Sequence, residues 1–130
     1  MTYRFCVAGR LPGMNEIVAA AKGTGGRGVR YSKMKQQWTD ACAWAAKARH
    51  IPRVGRSHFH CHGTEPKASK TTRLRDPDNI PAGGRKFVLD GLVVAGVLAN
   101  DTMAEVATFT DSFEVGPNVG VEVTITEAEA

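Results

Sequence analysis

The sequence predicts one small α/β (α+β) domain, in which a mixed sheet of about four to five strands packs with two main helices. Three observations lead to this prediction. The 130 residues, 42% hydrophobic and 23% charged, are enough to close a single core but too few for two. Segments with strand periodicity and segments with helix periodicity are interleaved along the chain. Neither an internal repeat nor a linker separates them, so we expect residues 1–130 to form a single domain.

The first half of the chain predicts a strand, a loop and a long helix. Side chains alternate in character over residues 3–7, which is typical of a half-buried strand, and turn residues follow from Gly9. Residues 23–28 form a glycine-rich basic loop whose spacing matches dinucleotide-binding loops, but the chain is too short for the doubly wound sheet of such proteins. Ser32 is a suitable N-cap for a helix that runs to about Arg49.

This helix carries an apolar stripe on one face. The stripe consists of Met34, Trp38, Ala41, Cys42 and Ala45. We expect Trp38 and Trp44 to contact the core or a second subunit rather than DNA bases.

The second half of the chain predicts a strand, a helix and two further strands. They fall at residues 56–62, 86–95, 106–113 and 119–126, and residues 116–118 form the turn between the last two. Gly96 suits the left-handed position that ends a helix. Three histidines share one face of the first of these strands, namely His58, His60 and His62. An exposed polar face is favoured over a zinc or nickel site, because ligands on one strand are collinear rather than convergent.

Charge is unevenly distributed along the chain. Up to Lys86 there are 17 Lys and Arg against five acids, a net charge of +12, whereas the remainder has eight acids and no Lys or Arg. This distribution predicts a basic surface for a polyanion such as DNA. A solvated surface that ends in an acidic tail is the alternative.

Hydropathy and cysteine usage predict a soluble cytoplasmic protein. The longest uncharged apolar run, residues 91–99, has nine residues, which is too short to span a bilayer, and the amino terminus shows no signal segment. Cys6, Cys42 and Cys61 are odd in number and widely spaced, so we expect small buried side chains in a reducing compartment.

Two aspartates in the segment Arg75-Asp76-Pro77-Asp78-Asn79 indicate metal chemistry. In an extended segment Asp76 and Asp78 project to the same side, and Pro77 favours that geometry. Their mutual repulsion is relieved by a hard cation, and oxygen ligands favour Mg²⁺ or Mn²⁺. An ordinary turn of Asp, Pro and Asn residues is the alternative.

Further charged residues follow in an ordered pattern. Lys86 and Asp90 are four residues apart and share a face of the next predicted helix. A turn after Gly96 would return Asp101 to the same cluster.

These segments together resemble the core signature of the RusA-like Holliday junction resolvases. The similarity lies in Arg75–Asn79, Lys86–Leu92 and Ala95–Asp101, with weaker similarity in Leu11–Asn15 and Glu122–Glu127. It implies a RusA-like fold and a Mg²⁺-dependent, structure-selective endodeoxyribonuclease, with Mn²⁺ as a possible substitute. Such an enzyme resolves four-way DNA junctions in recombination and repair, and is often prophage-encoded. It makes paired nicks on opposing strands as a homodimer, which suits the two-fold symmetry of the junction.

The resemblance also implies roles for particular residues. Asp76, Asp78 and Asp101 correspond to the catalytic carboxylates that bind the metal, and Lys86 to the catalytic lysine that supports the phosphate charge. Asp90 matches a further acidic position and joins the candidate metal ligands.

Two features depart from the family pattern. Asn100 replaces the first acid of the terminal acidic pair, and Lys86 lies eight residues after Asp78, farther than in compact family members. We therefore keep two alternatives, a catalytically inactive junction- or DNA-binding protein and a metal-dependent nucleotide phosphohydrolase.

Basic side chains from two loops are candidates for holding the DNA phosphates on either side of the site. They are Arg27, Arg30, Lys67, Lys70, Arg73 and Arg75.

Overall fold

The computed structural model describes residues 1–22, 29–72, 74–75 and 79–128. Within them the elements are β1 (Thr2–Ala8), α1 (Met14–Ala21), α2 (Val29–Ala48), β2 (Ser57–Glu65), α3 (Asn79–Val94), β3 (Val106–Val115) and β4 (Gly120–Glu127). The α/β (α+β) class and the mixed sheet are confirmed. The predicted site residues Asp76, Asp78, Arg27 and Arg73, and the glycine-rich loop 23–28, lie outside the described residues.

The four strands form one sheet in the order β1-β4-β2-β3. β4 is antiparallel to both of its neighbours, whereas β2 and β3 are parallel. Parallel neighbours need a crossover connection, and α3 supplies it. Consequently α3 follows the carboxyl end of β2 and the chain returns to the amino end of β3. The two ends of α3 therefore lie towards opposite ends of the strands.

The core lies between the sheet and the helices. Phe5, Phe59 and Ile125 of the sheet are buried in one cluster with Phe87 and Leu92 of α3. Burying side chains of this size stabilises a fold by about 1.5–3 kcal/mol each. This cluster fixes α3 on one face of the sheet.

α2 and α3 cross at very short distance. A Cβ atom at Gly91 would lie 2.5 Å from the Cβ of Cys42 and 2.9 Å from the backbone oxygen of Thr39. Real Cβ atoms do not approach other atoms so closely. Gly91 is therefore what permits the two helix backbones to meet.

The three histidines lie on the opposite face of the sheet. His58 Nδ1 is 2.8 Å from Thr108 Oγ1, and the other two rings meet a single serine. Ser112 Oγ is 2.8 Å from His60 Nε2 and 2.6 Å from His62 Nδ1. Among the residues that the structure describes, no group of three His, Cys, Asp or Glu side chains is placed to hold a metal ion.

All three helices differ from the prediction at their start. α1 was not predicted, because it is only eight residues long and its N-cap, Gly13, offers no side-chain hydrogen bond. α3 begins at Asn79 rather than at Lys86. Pro81 is compatible with this start, because it falls in the first turn, where backbone N–H groups have no partner within the helix. Ser32 lies inside α2, which begins at Val29, and is not its cap.

The strands also differ in extent and pairing. β2 continues to Glu65, beyond the predicted strand end at residue 62. The turn at residues 116–118 does not join a β-hairpin, because β2 lies between β3 and β4 in the sheet. Turn residues are evident in the sequence, but strand order depends on the whole core.

One expectation about the cysteines needs correction. Cys6 is exposed, whereas Cys42 and Cys61 are buried, and burial raises the pKa of both buried thiols to about 12. Of the two tryptophans, Trp38 packs against the core, whereas Trp44 is 73% exposed and its contact with a second subunit stays a prediction. The helices of the described part of the chain are all too short or too polar to cross a membrane.

Candidate functional site

Asp90 and Asp101 line one groove between α2 and α3. The groove is open to solvent and has a volume of about 310 Å³. Its other lining residues are Lys35, Thr39, Val93, Val94 and Asn100. It combines two carboxylates, an amide and an ammonium group, and is the candidate functional site.

The reversal of the chain after α3 brings Asp101 to this groove. α3 ends at Val94, and Gly96 adopts a φ of +80°, a conformation that favours glycine. The N–H groups of Val97 and Leu98 then both donate to the Leu92 oxygen, at 2.9 and 3.2 Å. The chain thereby folds back along the helix that carries Asp90.

Asn100 has a local structural role as well as a place in the groove. Its Oδ1 accepts a hydrogen bond from the backbone N–H of Asp101 at 2.9 Å. This contact shapes the turn that presents the Asp101 carboxylate. A carbonyl oxygen has a second lone pair, so Asn100 retains one neutral acceptor.

Asp90 lies near the end of α3. It is eleven residues after Asn79, the first residue of α3, and this length of helix spans about 16 Å. Asp90 is therefore far from the start of the helix and close to the turn that carries Asp101.

The convergence of Asp76, Asp78 and Asp101 stays a prediction. Asp76 and Asp78 are outside the described residues, and Asp101 shares its groove with Asp90 near the end of α3. The described residues thus include one of these three carboxylates and place it beside Asp90.

Lys86 lies on α3 one turn before Asp90 and is exposed.

Sequence reasoning missed two groove residues, Lys35 and Thr39 of α2. Their spacing of four residues puts them on one helix face, but only the helix pairing shows which face meets α3.

Arg75 is used inside the protein. Its side chain is 8% exposed, and it donates to both carboxylate oxygens of Glu65, at 2.7 and 2.8 Å. It also donates to Glu16 at 3.1 Å and to the Leu11 oxygen at 2.8 Å. A guanidinium held in this way cannot reach a DNA phosphate, so we do not retain Arg75 among the phosphate-contacting residues.

The same contacts govern the ionisation of Glu65. Burial alone would raise its pKa, but the hydrogen bonds and charge of Arg75, assisted by Arg10, hold the pKa below its ordinary value. Glu65 is therefore a stable anion in the interior.

Three other basic candidates remain available to solvent. Arg30, Lys67 and Lys70 are exposed, and none of them belongs to an ion pair within the described part of the chain. They lie on α2 and on the loop after β2. Their charges are free to contact a polyanion.

Fold and groove together define a small α/β domain with a carboxylate-lined groove beside a helical crossover. Comparison with protein-family models and with curated protein sequences gave no match. The functional argument therefore depends on the residues themselves.

Proposed function

We propose that this protein is a Mg²⁺-dependent, structure-selective endodeoxyribonuclease that resembles the RusA-like resolvases and cuts four-way DNA junctions. One observation carries the proposal: Asp90 and Asp101, on either side of the turn that ends α3, line one groove together with Asn100 and Lys35. The resemblance of the surrounding segments supplies the substrate class.

The oxygen donors of the groove fit a hard divalent ion. Mg²⁺ is commonly bound by one or two carboxylates, with water and substrate phosphate oxygens completing its shell. Asp90 and Asp101 would be those carboxylates. When bound, Mg²⁺ lowers the pKa of water and offsets charge on the phosphate.

The protein side chains perform the remaining tasks. Two carboxylates without a cation repel one another and repel DNA, so their placement favours an ion over direct phosphate contact. Lys86, exposed on α3, would donate to a non-bridging phosphate oxygen and stabilise its charge as the bond breaks. Arg30, Lys67 and Lys70 would hold phosphates farther along the strand.

Paired cuts require two sites. A four-way junction has approximate two-fold symmetry, and a homodimer presents two equivalent grooves to it. We include a homodimer and a cytoplasmic location in the proposal. Sedimentation of the purified protein and fractionation of the source cells test them.

A DNA-binding protein without nuclease activity is the second candidate. One observation favours it: Asn100 stands where the family pattern has an acid. Such a protein would bind DNA through the basic residues and would not cut it.

The test is a cleavage assay with three substrates, namely a four-way junction, a linear duplex and a mononucleotide, each with and without Mg²⁺. We expect paired nicks in the junction alone, abolished in both Asp90→Asn and Asp101→Asn. Asp40→Asn, at an exposed position on α2, is the matched control and should cut normally. Asp76→Asn and Asp78→Asn show whether a second group of carboxylates takes part.

Other outcomes assign a different function. Tight junction binding without nicks supports the DNA-binding protein, and turnover of the mononucleotide supports a nucleotide phosphohydrolase. Normal cutting by both Asp90→Asn and Asp101→Asn would refute the groove as the active site.

A further inference from the structure

We infer that Lys35 of α2 binds the substrate phosphate in the candidate groove, as the cation that faces the Asp90–Asp101 carboxylates. This inference rests on the proposed function and extends it to a helix that the family signature does not include. Lys35 is the one Lys or Arg among the residues that line the groove. Its role would be to contact the reacting phosphodiester directly.

The charge of Lys35 is not used elsewhere in the described part of the chain. Lys35 is exposed and forms no ion pair there with any carboxylate, Asp90 and Asp101 included. The ammonium and the carboxylates therefore share the groove without neutralising one another. A bound phosphodiester needs this combination, since its own oxygens accept from the ammonium while the carboxylates serve the cation.

The position of Lys35 is fixed by the helix crossing. The backbone oxygen of Thr39 would lie only 2.9 Å from a Cβ atom at Gly91, the residue after Asp90. Lys35 is one helical turn before Thr39 on the same face of α2. The wall that carries Lys35 is thus held against the wall that carries Asp90.

Thr39 lies at the buried side of the groove. It lines the groove and is only 8% exposed, and its Oγ1 is buried. Since this hydroxyl oxygen is not accessible from solvent, Lys35 is the α2 side chain that can reach a phosphate in the groove.

The test compares Lys35→Ala and Lys35→Arg with Lys33→Ala. Lys33 is also exposed on α2, but a separation of two residues turns it to another side of the helix. Cleavage of the four-way junction is measured with Mg²⁺, and binding is measured without it over a range of salt concentrations. Thermal unfolding of all three variants should match the wild type, because these side chains are exposed.

We expect Lys35→Ala to lower kcat by at least about tenfold, as loss of a donor to the reacting group does. It should also reduce the slope of log affinity against log salt by about 0.9, the value of one phosphate contact. Lys35→Arg should retain the salt slope, and Lys33→Ala should retain kcat. Equal behaviour of Lys35→Ala and Lys33→Ala in both measurements would overturn the inference.

The two measurements separate this inference from the proposed function. If the wild type makes no cut, the nuclease proposal fails, and the salt slope still decides the role of Lys35. A slope unchanged by Lys35→Ala then refutes phosphate binding. If the wild type cuts and only the Lys35 inference fails, the carboxylate variants remain inactive while Lys35→Ala stays active.

Discussion

At the scale of single residues, the helix crossing depends on the missing side chain of Gly91. Ala is the better helix former by about 1 kcal/mol, but a Cβ there would lie 2.5 Å from the Cβ of Cys42 and 3.0 Å from the backbone nitrogen of Ala43. Backbone atoms cannot move aside as a flexible side chain can. Steric exclusion therefore outweighs helix propensity at this position.

We expect Gly91→Ala to lower the free energy of unfolding by about 1–3 kcal/mol, the usual effect of an overpacked core. Gly84→Ala is the control in the same helix, since the nearest atom to its Cβ would be 3.9 Å away. That variant should be neutral or slightly more stable. Urea unfolding of both proteins measures the difference, and equal stabilities would contradict the close crossing.

The Arg75–Glu65 pair gives a second residue-scale prediction. Their side chains are 8% and 9% exposed, so removal of one partner leaves a charge in the interior. Glu65→Gln should lower the free energy of unfolding by about 3 kcal/mol at neutral pH. Glu114→Gln, where the side chain is 60% exposed, should change it by less than about 1 kcal/mol.

The same pair predicts a dependence on pH. Folding lowers the pKa of Glu65 below its ordinary value of 4.5, so the stabilisation is fully present above that value and is lost as pH falls through the lower pKa of the folded state. The stability difference between wild type and Glu65→Gln should therefore shrink in acid. Thermal unfolding between neutral and strongly acidic pH measures it, and a constant difference would argue against the ion pair.

At the scale of elements, the end of α3 determines where Asp101 lies. Gly96 has a φ of +80°, which residues with a Cβ rarely adopt. Gly96→Ala should lower the free energy of unfolding by about 1 kcal/mol. It should also reduce junction cleavage, because the altered turn displaces Asp101 from Asp90. Gly55→Ala, which has open space around its Cβ position, is the control for both measurements. Full activity of Gly96→Ala would show that the turn does not position the site.

Element boundaries show what local sequence signals can and cannot give. The end of α3 was predictable, because Gly96 is a local signal for a left-handed backbone. Its start was not, because the glycines before Lys86 weaken helix propensity while burial of Phe87 and Leu92 against the sheet stabilises the helix. Tertiary packing therefore decided the first turns of α3.

The candidate site was predictable only in part for the same reason. Asp90 and Asp101 were singled out from the sequence, and the structure places them in one groove. Lys35 was not, because its role follows from which face of α2 meets α3. Arg75 was expected to contact DNA, but nothing local in the sequence reveals that Glu65 and Glu16 surround it.

At the scale of the whole molecule, the exposed basic residues predict salt-sensitive DNA binding. Neutralised phosphates release counterions, so log affinity should fall linearly with log salt, with a slope of about −0.9 per contact on duplex DNA. Lys67→Ala and Lys70→Ala should each reduce the slope by about one unit, uniformly across DNA sequences. Lys47→Ala, exposed on α2 far along from the groove, serves as the control, and a flat salt response of the wild type would exclude a phosphate-binding surface.

The histidine face of the sheet has a consequence for protons. Ser112 has a single hydroxyl proton, and its Oγ lies 2.8 Å from His60 Nε2 and 2.6 Å from His62 Nδ1. Ser112 can donate this proton to one ring only, so the hydrogen-bonding roles of the two rings are linked. His62 Nε2 also lies 3.5 Å from the Glu114 carboxylate.

The row ties together side chains of two strands. Thr110 Oγ1 lies 2.6 Å from His60 Nδ1 and donates to the Phe59 oxygen at 3.5 Å. A residue without a hydroxyl at position 112 would remove the hydrogen-bond partner of both His60 and His62 at once. A single serine of β3 thus couples two histidines of β2 across the strand boundary.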